Sequence, residues 1–238
     1  MTTADADHET RARAELAAWR ATMLAEPSPL AKAAKGLQMQ VNRMIPDKIH
    51  AAVTKVIEQM TRGILAGSDF VSGPPLAVGS LRDREARVRK AIDGYRNVAT
   101  LEGGATGAGG FLLAAADFPA LIAIKIKLLF EIAGLYGHDV RDWRERLYIL
   151  SIFQLAFSGA DHRRDVLLAM TEGQQPATPE DFDWRKFQQE YRDYIDLAKL
   201  AQMLPIIGAP VGAIVNWRLV EQLGETAMNA YRLRWFSR

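Results

Sequence analysis

Asp117 is the residue whose placement most invites chemistry. It is the only ionisable side chain between Gly103 and Ile124, set in the apolar run FLLAAADFPALIAI. A carboxylate buried alone costs several kcal/mol, so it must be paired, protonated or placed at a chain break. Pro119 disfavours helix at Phe118, which predicts that Asp117 lies where one helix ends and another begins, capping orphan backbone N–H groups. The functional alternative is a hydrolase-like polar pocket in which Glu131, His138, Asp139, Asn216 and Arg218 converge on Asp117. Nothing in their spacing requires convergence. Asn216 and Arg218 are the expected distant partners of Asp117, because both lie in or beside the second charge-free stretch of the chain.

Other patterns that could carry chemistry stop short of a complete signature. Gly104 and Gly109 have the spacing of the first part of a Walker A motif, but position 110 is Gly where the motif has Lys. A dinucleotide fingerprint fails too, since the segment lacks its third Gly and follows the helical-looking YRNVATLE instead of a strand. The remaining reading is packing and chain reversal by Gly103, Gly104, Gly107, Gly109 and Gly110, with Gly208 and Gly212 as a small-xxx-small pair further on. The four histidines, His8, His50, His138 and His162, are scattered without ligand spacing and read as surface and loop residues. No metal and no cofactor is expected. A serine-hydrolase elbow G-x-S-x-G is absent from the sequence. Arg82, Arg84, Arg87, Arg89 and Lys90 form a basic run interleaved with Asp83 and Glu85, read as a solvated helix face or as a contact to anionic lipid.

Composition narrows the field further. With no cysteine, disulfides, thiolate nucleophiles and cysteine-based metal sites are excluded. Thirty basic against twenty-eight acidic residues leave +2, too near neutrality to imply nucleic acid as a partner. At 238 residues and 49% hydrophobic content the chain can bury a sizeable core. The start MTTADADHETRARAEL is polar and acidic, unlike a secretory signal, so a cytoplasmic start is expected.

The elements that position these residues read as helices throughout, in one all-α, bundle-like domain of eight to ten helices with Gly/Pro-interrupted apolar segments. Residues 1–30 are expected to be a solvated tail and a short arm helix on Leu16, Trp19 and Met23, with 31–238 the helical domain proper. Ser80 marks a helix start after a Gly/Pro-rich loop, and Gly137 a helix end. Thr178, with Pro179 behind it, is the clearest N-cap signal. Ile149 to Ala160 and Leu200 to Trp217 carry no charge. Neither they nor Gly103 to Ile124 makes an uninterrupted span of about 20 apolar residues.

Two stretches, TGAGGFLLAAADFPALIAIKIKLLFEIAGLYGHD and LPIIGAPVGAIVNWRLVEQLGETAMNAYRLRW, resemble the hallmark segments of the EcsC family, and the likeness extends from about Ala31 onward. The resemblance implies a bacterial helical protein whose family name comes from an operon encoding an ABC transporter linked to secretion and to membrane-protein or peptide processing. It brings no catalytic residues. The expectation is an interaction protein at the inner face of the membrane, with lipid, hydrophobic peptide or an ABC transporter as partner.

Overall fold

The computed structural model describes residues 2–26, 62–64, 73–107, 110–174, 176, 178–187, 189–190 and 208–237, with side chains described outside 101–122, 179, 208–213 and 215. Thr2 opens the first helix. Its hydroxyl accepts from the Asp5 N–H at 3.2 Å, and the Asp5 carboxylate accepts from the Thr2 N–H at 2.9 Å. This reciprocal capping box satisfies two orphan donors, so α1 runs over Thr3–Leu24. The stretch expected as a solvated tail is therefore helix from its third residue. Ala12 and Leu16 are its buried apolar residues.

The loop that ends at Ser80 leads into α2 (Leu81–Gly107), whose Asp83 N–H donates to the Ser80 hydroxyl at 3.2 Å. Leu81, Val88, Ile92 and Ala99 form its buried stripe. After it comes α3 (Gly110–Leu135). That helix is continuous through Asp117 and Pro119, so the expected break at Phe118 does not occur. Proline removes one backbone hydrogen bond and crowds the preceding turn. Here strong helix formers stand on both sides, as in LLAAA before it and ALIAIKIKLL after it, and the helix continues. Its end follows the expectation: Gly137, at φ +88°, donates to the Gly134 carbonyl, and the His138 N–H reaches the Ala133 carbonyl at 2.9 Å. That is a Schellman cap, which needs a residue without Cβ in the left-handed region.

Helix α4 (Trp143–Phe157) is buried at every residue from Leu147 to Phe157, the outcome for a helix apolar on all sides. It packs against α3, α5 (Ala160–Thr171) and α6 (Gly208–Phe236). Between α5 and α6, Pro179–Asp181 is only a 3-10 turn. The helical residues 184–187 begin instead on Asp183, whose carboxylate accepts from the Lys186 N–H at 2.9 Å. Thr178 spends its N–H and hydroxyl on Asp181.

The principal packing is α2 on α6, with α3 beside both and α1 laid across α2, α5 and α6. Gly224 permits the α2–α6 approach: a Cβ there would lie 2.6 Å from both Cγ1 and Cδ1 of Ile92. Every regular element among the described residues is helical, and none of these helices is long and apolar enough to cross a membrane. The fold is all-α.

Candidate functional site

Of the residues proposed for a polar pocket, His138 is one that the fold brings into a buried polar cluster, whose other members have a different origin in the sequence. Glu85 stands on α2 in register with Leu81, Val88 and Ile92, so it enters the core with them and is fully buried. Arg232, near the end of α6 and 3% exposed, meets it with Nε to Oε1 at 2.6 Å and Nη2 to Oε2 at 2.7 Å. The Tyr136 hydroxyl donates to Glu85 at 3.0 Å, and His8 of α1 lies 2.9 Å from its other oxygen. Arg232 also pairs with Glu15 of α1 at 2.9 Å. Burial raises the Glu85 carboxyl, but the hydrogen bonds and charge of Arg232, with those of His8 and Tyr136, more than offset this and hold it below its ordinary 4.5.

A stack of Tyr136 on Tyr231, ring centres 5.1 Å apart, joins this cluster to a second one. There the Tyr231 hydroxyl donates to Glu145 at 2.6 Å, and Arg234 donates to the same carboxylate at 2.5 Å. His138 Nδ1 lies 3.5 Å from Glu145. The Arg234 guanidinium sits 3.3 Å over the ring of Tyr148, whose hydroxyl donates to the Ala230 carbonyl. Burial, first of all, pushes the hydroxyls of Tyr136 and Tyr231 well above their ordinary value. The paired charges and hydrogen bonds of the two clusters tie α1, α2, α4 and α6 together as a buried lock.

Among the residues proposed for a polar pocket, Glu131, Asp139 and His138 have separate partners. Glu131 accepts from the Tyr95 hydroxyl at 3.0 Å. Asp139 is held by its near neighbour Arg141, His138 by Glu145. Asn216 is buried on α6 and Arg218 is exposed on it. Asp117 lies within helix α3, and its side chain is outside the described residues, as is any pairing with Asn216 or Arg218. Of the glycines, Gly103, Gly104 and Gly107 close α2, Gly110 opens α3, and Gly208 and Gly212 begin α6, while Gly109 lies outside the described residues.

Arg84 must be removed from the basic face. It is 5% exposed and donates to the carbonyls of Leu76, Gly79 and Leu135, tying the loop before α2 to the end of α3. Arg82, Arg87, Arg89 and Lys90 remain exposed, Arg82 being paired with Asp5 and Asp83. The histidines are not all surface residues either. His162 is buried against Gln154, and His8 and His138 are half-buried, while His50 lies outside the described residues. Among the described residues no group of three His, Asp or Glu side chains could hold a metal ion.

The buried lock draws on α1, α2, the turn after α3, α4 and α6, and the family comparison covers most of the same stretch of chain. The model of the EcsC protein family matches residues 10–236. The chain belongs to the EcsC family. Protein EcsC of Bacillus subtilis (strain 168) is 43% identical over 217 residues, 91% of each chain. A second Bacillus subtilis relative, Uncharacterized protein YdbA, is 28% identical over 202 residues, 83% of this chain and 68% of that one. No solved structure matches. The family match begins well before Ala31, where the hallmark stretches alone would start it, and takes in Glu15 and Leu16 of α1. Helix α1 lies within the matched region from residue 10 onward.

Sequence reasoning missed Glu85, Glu145, Tyr231, Arg232 and Arg234. One signal was available: Glu85 occupies a position of the apolar stripe of α2. The identity of its partner, 147 residues away, is set only by the fold.

Proposed function

We propose that this EcsC-family chain works as a helical interaction protein attached peripherally to the inner face of a bacterial membrane. The observation that carries the reading is a run of cations on α2. Arg87, Arg89 and Lys90 are exposed and have no carboxylate partner among the described residues. Arg87 and Lys90 stand at one part of a groove of about 510 Å³ whose other walls are Ala91, Gly94, Tyr95, Val98 and Leu135, with Glu131 between. Val98, in the wall of this groove two turns from the cationic ridge, is 46% exposed. Cations beside an apolar edge suit the boundary between anionic headgroups and acyl chains.

The magnitudes favour attachment that salt can reverse. Each exposed Arg or Lys near an anionic surface contributes about 1 kcal/mol, so Arg87, Arg89 and Lys90 together give an enrichment on the order of a hundredfold. At that surface the family resemblance makes an ABC transporter the expected partner, with hydrophobic peptide or lipid as cargo. Co-sedimentation with phosphatidylglycerol vesicles tests the attachment. Binding at 0.1 M NaCl should fall steeply at 0.5 M, as screening dictates, and fall also in R87Q/R89Q/K90Q. Equal binding to phosphatidylcholine vesicles, or a triple variant that binds as the parent does, would overturn the reading.

A further inference from the structure

A second concavity, of about 450 Å³, opens where α1 crosses the ends of α5 and α6. From α1 it is lined by Arg13, Leu16, Ala17 and Arg20, residues at i, i+3, i+4 and i+7 and hence on one helical face. Tyr148, Met170, Leu233, Arg234 and Phe236 complete its principal walls, and no Asp or Glu is among the lining residues. Three arginines therefore line one cavity. Arg234 is matched by Glu145. Arg13 stacks 4.0 Å over the Phe236 ring and has no carboxylate partner among the described residues, and neither has Arg20. Among the described residues, two of the arginines lining the cavity thus lack a carboxylate partner, and they stand beside an apolar wall of Leu16, Met170, Leu233 and Phe236.

We propose that this cavity binds an anionic amphiphile, a ligand with a phosphate or carboxylate head held by Arg13, Arg20 and Arg234 and an apolar body against Met170, Leu233 and Phe236. Guanidinium groups present paired donors that match the oxygens of such a head, and 450 Å³ lies within the range of small-molecule sites. The head keeps part of its solvent contact, because Arg13 and Arg20 are exposed. The body supplies discrimination: an inorganic anion gains the arginines alone. The site is separate from the cationic ridge of α2 and does not depend on membrane attachment there.

The test is calorimetric titration of the full chain with dodecyl phosphate below its micellar concentration, with inorganic phosphate and dodecyltrimethylammonium as comparisons. Saturable one-to-one binding of dodecyl phosphate is expected, at least tenfold tighter than inorganic phosphate and absent for the cation. R13Q/R20Q should lose at least tenfold in affinity while melting as the parent does, since both residues are exposed. R87Q/R89Q/K90Q should bind dodecyl phosphate unchanged, which separates this site from the proposed membrane face. Phosphatidylglycerol vesicles distinguish the source: if R13Q/R20Q loses the monomeric ligand but keeps the vesicles, the site takes a free molecule, and if both are lost it takes a headgroup from the bilayer. No saturable binding, equal affinity for inorganic phosphate, or an R13Q/R20Q variant that retains the parent affinity would overturn the proposal.

Discussion

Replacing Glu85 by Gln removes one charge from the buried pair and leaves Arg232, 3% exposed, facing an amide. The geometry sets the size of the effect. Both carboxylate oxygens are engaged by Arg232, at 2.6 and 2.7 Å, and each also holds a further partner, Tyr136 or His8. Breaking such a pair costs about 3–5 kcal/mol, because the surviving charge stays buried and unmatched. Glu15 still contacts Arg232, but at 44% side-chain exposure it is a weak substitute. For a chain of this length each kcal/mol moves the melting midpoint by roughly 2–4 °C, so Glu85→Gln should lower Tm by about 6–20 °C. Asp139→Asn is the control, since the Asp139–Arg141 pair is solvent-exposed and water already screens it. The pH dependence gives a second readout. The folded carboxyl of Glu85 lies below its ordinary 4.5, so its contribution is present above that value and is lost as pH falls through the folded one. Thermal melts between pH 3 and 7 should show the parent losing stability below about pH 4.5, with a shallower loss in Glu85→Gln. A Glu85→Gln protein that melts at pH 7 within about 2 °C of the parent, as the Asp139→Asn control is expected to, would refute the reasoning.

Lys125 is 5% exposed, and burial pushes its amine down to about 8 from 10.5. Between those values the unfolded chain binds a proton that the folded one lacks, so stability should rise with pH by about 1.4 kcal/mol per unit. Lys125→Met is expected to raise Tm at pH 7 and to flatten the rise between pH 8 and 9.5; an unchanged or lower Tm at pH 7 counts against it. Gly224→Ala drives a methyl group into Ile92 and should cost about 1–3 kcal/mol in urea unfolding. Adding Ile92→Ala to that variant should cost less than Ile92→Ala alone, because the two positions touch; strict additivity would show that α2 and α6 do not meet there.

Much of the fold was legible in the sequence because it rests on local rules. The uncharged run from Ile149 became α4, buried on every side, and Ser80 and Gly137 punctuate helices as their chemistry requires. Pro119 misled because the rule for proline weighs one lost hydrogen bond without the helix-forming residues on both sides. The opening residues misled for the opposite reason. Helix α1 shows little apolar periodicity, and its start depends on the side chains of Thr2 and Asp5. The basic run was assigned to one face as a block, although the spacing of Leu81, Val88 and Ile92 already turns Arg84 and Glu85 inward. The lock itself joins residues as far apart as Glu85 and Arg232, and no local pattern names such partners.

The charges at the lock fix the register of α1. Its fully buried apolar residues are Ala12 and Leu16, with Trp19 and Met23 partly buried, and so small a contact would tolerate sliding along α2 and α6. Asp5 with Arg82, His8 with Glu85 and Glu15 with Arg232 are spaced along α1 so that all three meet in one position only. A shift by one turn, about 5.4 Å, would break all of them and leave Glu85 and Arg232 with fewer partners in the core. The same register places Arg13 and Arg20 over the cavity between α5 and α6. Buried ion pairs add little net stability over apolar residues, and setting register is their best-attested use. In this chain that register decides whether the cationic cavity exists.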